Sequence, residues 1–185
     1  PRYIADVVRG VSMASRQAGA YLTFEEFQVD DPQIAVSFSK LLDQAGIAGM
    51  LLIPQLSDNE ELLNLLERRG VRTVRMSPAR DVGRTDSVVA RDEDGIFALV
   101  DHLITLNHRR FGYISGIEEH ASSQIRLSAF KKRLHYHGIA WESVLFEQGD
   151  YSYRSGVEAT RRILATGQDA WPTAICAAND EMAAG

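Results

Sequence analysis

The sequence predicts an α/β fold with parallel sheets in two similar lobes, residues 1–90 and 91–185. Three observations predict it. Extended and helical hydrophobic periods alternate from end to end. Strand–helix–strand units recur, which implies parallel strands with helices on both faces. The units also fall into two groups that part near Ala90-Arg91.

Taken in order, Ile4, Val7, Val8, Val11, Ala14 and Ala18 recur at helical spacing. Tyr21 to Phe24 then reads as a strand. Asp31-Pro32 opens a helix, with Asp as cap and Pro at the first position, where its missing N–H is not needed. That helix carries Ile34, Phe38, Leu41, Leu42 and Ala45, and Gly46 can end it. The apolar run from Gly49 to Pro54 reads as a strand covered on both faces. Ser57 with Glu60 has the spacing of a capping box before Leu62, Leu63, Leu65 and Leu66. Gly70 stops that helix, and Val71 to Met76 forms the next strand.

Ser77 to Thr85 reads as a loop, and Ser87 to Ala90 as a short extended piece. A helix begins at Asp94, followed by a strand from Arg110 to Ser115. Ser122 or Ser123 starts a helix that Gly138 ends. Val144 to Phe146 is a strand, Ser152 to Thr166 a helix and Thr173 to Ala177 a strand. Asn179-Asp180 caps a last helix. A helix opens the first lobe where a central strand is expected, and a helix start closes the second. Both lobes therefore read as incomplete, with strands outside this sequence.

Composition narrows the function. The 185 residues are 45% hydrophobic and 24% charged, the balance of an ordinary globular domain. No apolar run approaches the roughly 20 residues a bilayer requires, and the opening Pro1-Arg2-Tyr3-Ile4 shows no signal-peptide pattern. A net charge of -5 argues against a surface that grips nucleic acid by itself. The single Cys176 excludes an internal disulfide, fits a reducing compartment and reads as a small buried apolar residue.

Catalytic signatures are missing. The sequence has no G-x-S-x-G elbow, phosphate loop or G-x-G-x-x-G fingerprint. His135 and His137 stand two apart, which on a helix points the rings to different sides, so no shared metal is expected. The runs His108-Arg109-Arg110 and Lys131-Lys132-Arg133 read as solvated helix ends and faces. Neither an enzyme nor a cofactor site is implied.

In open α/β sheets ligands bind beyond the carboxyl ends of the strands. That rule selects Pro54-Gln55, Ser77, residues 116–124, Asp150-Tyr151 and Asn179-Asp180. Their hydroxyl, amide, carboxylate and aromatic groups suit a polar ligand with one face to stack on. Arg126 lies in the first turns of its helix, where the dipole disfavours a cation. It faces either an oxygen-rich ligand or a salt-bridge partner. Tyr151 is either a loop aromatic or a stacking platform. Asn179 caps the last helix unless Asp180 does so and frees its amide.

The ordered set of segments resembles the effector-binding domain of LacI/GalR-family bacterial transcription regulators. Tyr3 to Val11 looks like that family's first helix, and Gly46 to Pro54 like its "vDGiil.p" strand, with Ala48 where Asp is usual. Asp101 to Arg110 matches "hLi.lGHrr" with Asn107 in place of Gly. Arg126 to Phe130 matches "R..GF" with Ala129 for Gly, and Gln148 to Tyr151 fits "GDf". Pro172 to Gly185 is close to "PTAifaaND.mA.G".

The resemblance implies two Rossmann-like lobes of the periplasmic-binding-protein type I kind. It also implies roles. Arg126 and Asn179 would bind polar groups of an effector, and Tyr151 would stack on its ring. Tyr3 and Ile4 would line the cleft, Ser77 and Ser122 would offer hydroxyls, and His120 would help set ligand identity. The implied protein is a cytoplasmic homodimer that reads operator DNA through a helix-turn-helix headpiece outside this sequence, with a sugar or related metabolite as effector. A periplasmic sugar-binding protein of a transport system shares the architecture. The motifs at 107–110 and 172–185 favour the regulator.

Overall fold

The computed structural model describes residues 2–29, 31–44, 46–118 and 120–185. The expected burial of Ala45, and the Glu119 position within the 116–124 loop, lie outside them. Helix α1 spans Arg2–Gln17 and carries Ile4, Val7, Val8 and Val11 half-buried along one side. The expected strand at Tyr21 to Phe24 is not formed. That segment is irregular, with Tyr21 fully exposed. Extended backbone becomes a strand only when a neighbour takes its hydrogen bonds, and no described strand lies against it.

Helix α2 (Ile34–Gln44) follows a turn in which the Asp31 carboxylate accepts from the Gln33 N–H at 2.8 Å. Its Phe38 packs on Phe27 with ring centroids 4.0 Å apart. The first sheet consists of β1 (Gly49–Leu52), β2 (Arg72–Met76) and β3 (Asp86–Val88), parallel and in the order β1-β2-β3. Helix α3 (Glu60–Arg68) crosses from β1 to β2 and buries Leu62, Leu63, Leu65 and Leu66. β1 is an edge strand on which only Leu52 is buried, so it is not covered on both faces as its composition suggests.

The capping box is also replaced. Asn59 caps α3, its side chain accepting from the Leu62 N–H at 3.0 Å. Ser57, two residues earlier and buried, instead donates its hydroxyl to the Met76 carbonyl at 2.8 Å. Asn is as good a cap as Ser, and the turn before α3 places Asn59 at the helix start. Gly70 ends α3 with φ +64, the left-handed conformation in which glycine carries no Cβ penalty.

Beneath this sheet end sits Arg75, 1% exposed. Its guanidinium donates to Thr85 Oγ1 at 3.0 Å, Asp58 Oδ1 at 3.3 Å, the Arg80 carbonyl at 3.0 Å and the Asp81 carbonyl. Asp58 in turn accepts from the N–H groups of Ala79 and Arg80 at 2.8 and 3.2 Å. One buried cation thus satisfies the Arg80 carbonyl and joins the Arg84 N–H on that of Asp81, tying the 77–85 loop to β2.

The second lobe contains α4 (Asp92–Thr105), β4 (Phe111–Ser115), α5 (Ala121–Tyr136), β5 (Leu145–Gln148), α6 (Tyr153–Leu164), β6 (Ala174–Ala177) and α7 (Asp180–Ala184). Its parallel sheet runs β5-β4-β6, with all five residues of central β4 buried. Phe111 and Tyr113 pack on Phe130 and Leu134, while Ile114 packs with Ala159, Ile163 and Met182. Cys176 lies in the first of these clusters, and burial pushes its thiol up to about 12. Asn107, after α4, has φ 64. Asn tolerates that conformation better than any β-branched residue, which accounts for its standing where the resemblance expects Gly.

Candidate functional site

In the order β5-β4-β6 the chain leaves central β4 for one side, then returns to the other. The carboxyl end of β4 is therefore a topological switch point, where neighbouring loops diverge and leave a crevice. Three of the five described non-glycine residues with left-handed backbone stand just beyond strand ends: Gln55, Ser77 and Tyr151, with φ of 84, 44 and 70. Such conformations cost on the order of 1–3 kcal/mol and gather where side chains must be aimed at a ligand.

Tyr151 is the centre of the second-lobe half. Its carbonyl accepts from Asn179 Nδ2 at 2.9 Å, which ties down the strained residue. The same Asn179 side chain caps α7, accepting from the Met182 N–H at 3.0 Å. Asn179 is thus the cap, and its second Nδ2 proton has no described partner. Gly116 makes the ring's position possible, since a Cβ there would stand 2.1–2.4 Å from three of its atoms. The ring stacks against His120 at 5.5 Å and 16°, and its hydroxyl meets Ser122 Oγ at 3.4 Å. His120 Nε2 lies 2.9 Å from Gln55 Nε2, so this half reaches the first lobe.

Arg126 is the only arginine among the predicted residues, and it is paired. Its Nε donates to Asp92 Oδ1 at 2.9 Å and its Nη1 to the Ala178 carbonyl at 2.7 Å. Of a ligand and a salt-bridge partner, the structure supplies the second: an ion pair at the cleft, with the two side chains 26% and 16% exposed. Across the cleft, Tyr3 of α1 stands near Ser77, and its hydroxyl feels Arg126 and Asp92 of the other lobe. Burial raises its pKa, opposed by Arg126 and supported by Asp92. Ser77 is held by its own N–H, which donates to the Val88 carbonyl at 2.7 Å.

Seven of the eight predicted residues thus join one set: Tyr3, Ser77, His120, Ser122, Arg126, Tyr151 and Asn179. Ile4, half-buried on α1, presents an apolar side chain that enters none of these polar contacts. Sequence reasoning missed Asp92, which its place in an acidic first turn disguised as a dipole residue. An Arg disfavoured by its own helix was the signal that an anion must lie near. The set offers hydroxyls, an amide proton, a guanidinium edge and an aromatic face. Its Ser122 hydroxyl pairs with a tyrosine, not with a base that could activate it.

A family model described as "periplasmic binding protein-like domain" matches residues 100–185. Catabolite control protein A of Priestia megaterium is 31% identical over 127 residues, covering 68% of this chain and 38% of that protein. The HTH-type transcriptional repressor PurR of Aliivibrio fischeri is 27% identical over 183 residues, covering 98% of this chain and 53% of that protein. The chain thus spans about half the length, or less, of these curated relatives. In fold it matches the crystal structure of a LacI family transcriptional regulator from Bifidobacterium animalis subsp. lactis, with TM-score 0.82 and 22% identity over 98% of this chain and 65% of that one.

Proposed function

The chain belongs to the LacI/GalR family of effector-binding domains, and from that premise we propose that it senses a small polar metabolite for a DNA-binding transcriptional repressor. Carrying this reading is the convergence of Tyr3 and Ser77 from one lobe with Arg126, Tyr151 and Asn179 from the other at strand ends. The two lobes, 1–90 and 91–185, would close on the effector, their rotation changing how a paired DNA-binding headpiece meets its operator. The natural form is a homodimer in the cytoplasm. No helix among the described residues is long and apolar enough to cross a membrane. The relatives named above are regulators, which favours this reading over a transport-associated binding protein or an enzyme.

The effector would stack on Tyr151 and take hydrogen bonds from the free edge of Arg126, the second Asn179 amide proton and the hydroxyls of Tyr3, Ser77 and Ser122. Ile4 would add apolar lining, and His120 would flank the ring as a determinant of ligand identity. No cofactor or metal enters.

The test is a thermal-shift screen of the full-length protein against sugars, sugar phosphates, nucleobases and aromatic acids, with Arg126→Ala alongside. A ligand at a hundredfold excess over its Kd stabilises by about 2.7 kcal/mol. A hit abolished in Arg126→Ala that also changes operator affinity is the expected result. A hit that binds the cleft and leaves operator affinity unchanged overturns the sensor role.

A further inference from the structure

The acidic first turn of α4 holds Asp92, Glu93 and Asp94, and the three carboxylates have different employment. Glu93 pairs with Lys132 at 2.6 Å and Asp94 with Arg91 at 2.6 Å, both on open surface. Asp92 alone turns inward, to the arginine of the cleft. Its partner sits in the first turns of α5, so the guanidinium feels an unfavourable helix dipole as well as partial burial. Asp92 sits at the favourable end of its own helix. The carboxylate faces the positive end of its helix dipole, and it offsets a cation placed at the same end of α5.

This pairing decides what Arg126 can offer a ligand. Nε and Nη1 are committed to Asp92 and the Ala178 carbonyl, and Nη2 has no described partner. The remaining edge is a hydrogen-bond donor whose net charge is already cancelled at 2.9 Å. A carboxylate or phosphate brought to that edge would meet the field of Asp92 together with that of Arg126. A hydroxyl or carbonyl oxygen would meet only the donor.

Resting on the proposed effector site, we infer that Asp92 is a specificity-determining residue, positioning the Arg126 fork and cancelling its charge so that the cleft accepts uncharged oxygen-rich ligands and refuses anionic ones. Asp92→Asn keeps an acceptor for Nε while removing the charge. It should therefore turn the same fork into an anion site.

Inorganic phosphate is the probe, titrated at constant ionic strength into the full-length protein, its Asp92→Asn variant and an Asp92→Asn/Arg126→Ala double variant, each followed by melting temperature. Asp92→Asn should show a saturable rise with half-saturation at least about tenfold below any response of the parent, and the double variant should lose it. Asp92→Ser serves in the same role if Asp92→Asn folds poorly by circular dichroism. Equal response of parent and variant overturns the inference, and so does absence of any Arg126-dependent response in both. A parent half-saturation within about tenfold of that of Asp92→Asn overturns it as well. The titration uses neither effector nor operator. A failed effector–operator coupling would therefore leave the role of Asp92 unaffected, and a failed titration would leave that coupling intact.

Discussion

The ring of Tyr151 covers Gly116 so closely that a methyl group on Gly116 would stand 2.1 Å from its Cζ. Because the clashing atoms are the far end of a side chain, the ring can swing aside and the backbone need not move. Gly116→Ala should therefore cost only about 1 kcal/mol of stability. Effector affinity should fall about tenfold, since the stacking face moves with the ring. Melting curves with and without effector separate the two. A Gly116→Ala protein with its effector-induced shift intact would remove Tyr151 from the ligand's path.

Asp58 is the only carboxylate among the described partners of buried Arg75, and it also takes two loop N–H groups. Asp58→Ala leaves the cation among neutral acceptors and frees both donors. The expected loss is about 3 kcal/mol, the lower end for breaking a buried pair. For a protein of this size that is roughly 10 °C in Tm. A loss below about 1 kcal/mol in thermal denaturation, within the range of an ordinary surface pair, would show that the carbonyls alone hold Arg75.

The Tyr113 hydroxyl is, among the described residues, the buried side-chain polar atom without a hydrogen-bond partner, and burial raises its pKa. Its ring packs 4.6 Å from that of Phe130, so the aromatic body stabilises while the hydroxyl costs. Tyr113→Phe keeps the former and removes the latter. Stability should stay level or rise by about 1 kcal/mol. A clear fall in Tm would mean the hydroxyl has a partner, such as a buried water.

Asp101 bridges α4 and α5, accepting from Arg133 Nε at 2.6 Å and lying 2.7 Å from His137 Nε2. Hydrogen bonding from Arg133, then from His137, lowers its pKa to about 2, against 3.8 ordinarily. A carboxyl with a depressed folded pKa contributes stability above its unfolded pKa, and that contribution is lost as pH falls through the folded one. Acid unfolding between about pH 4 and pH 2 should therefore be less steep in Asp101→Asn. Parallel acid limbs for parent and variant would deny the coupling.

Long periodic helices and the strand from Arg110 to Ser115 could be read directly from the chain, because helical spacing records burial residue by residue, whereas the apolar run from Gly49 to Pro54 overstated the cover on β1. Gly70 and Gly138 likewise announced their left-handed turns, at φ +64 and +72. What could not be read depended on partners distant in sequence. Tyr21 to Phe24 has the composition of a strand, yet pairing is a property of two segments. Ser57 has the chemistry of a cap, yet its hydroxyl goes to Met76, 19 residues away, and Asn59 caps the helix instead. At the site, strand-end loops and Arg126 were visible from topology and dipole reasoning. Asp92 was not, since its separation of 34 positions from Arg126 hides their contact.

The described hydrophobic clusters do not mix the two sheets: Ile34, Phe38, Leu52 and the α3 leucines form one, while the others draw on residues 100–182. Between the halves the described links run through side chains at the cleft, such as Gln55 with His120. A lineage can therefore rewrite one half of its ligand chemistry without repacking the other. Successive substitutions on either side become nearly independent experiments for natural selection, each judged by binding before it is judged by folding.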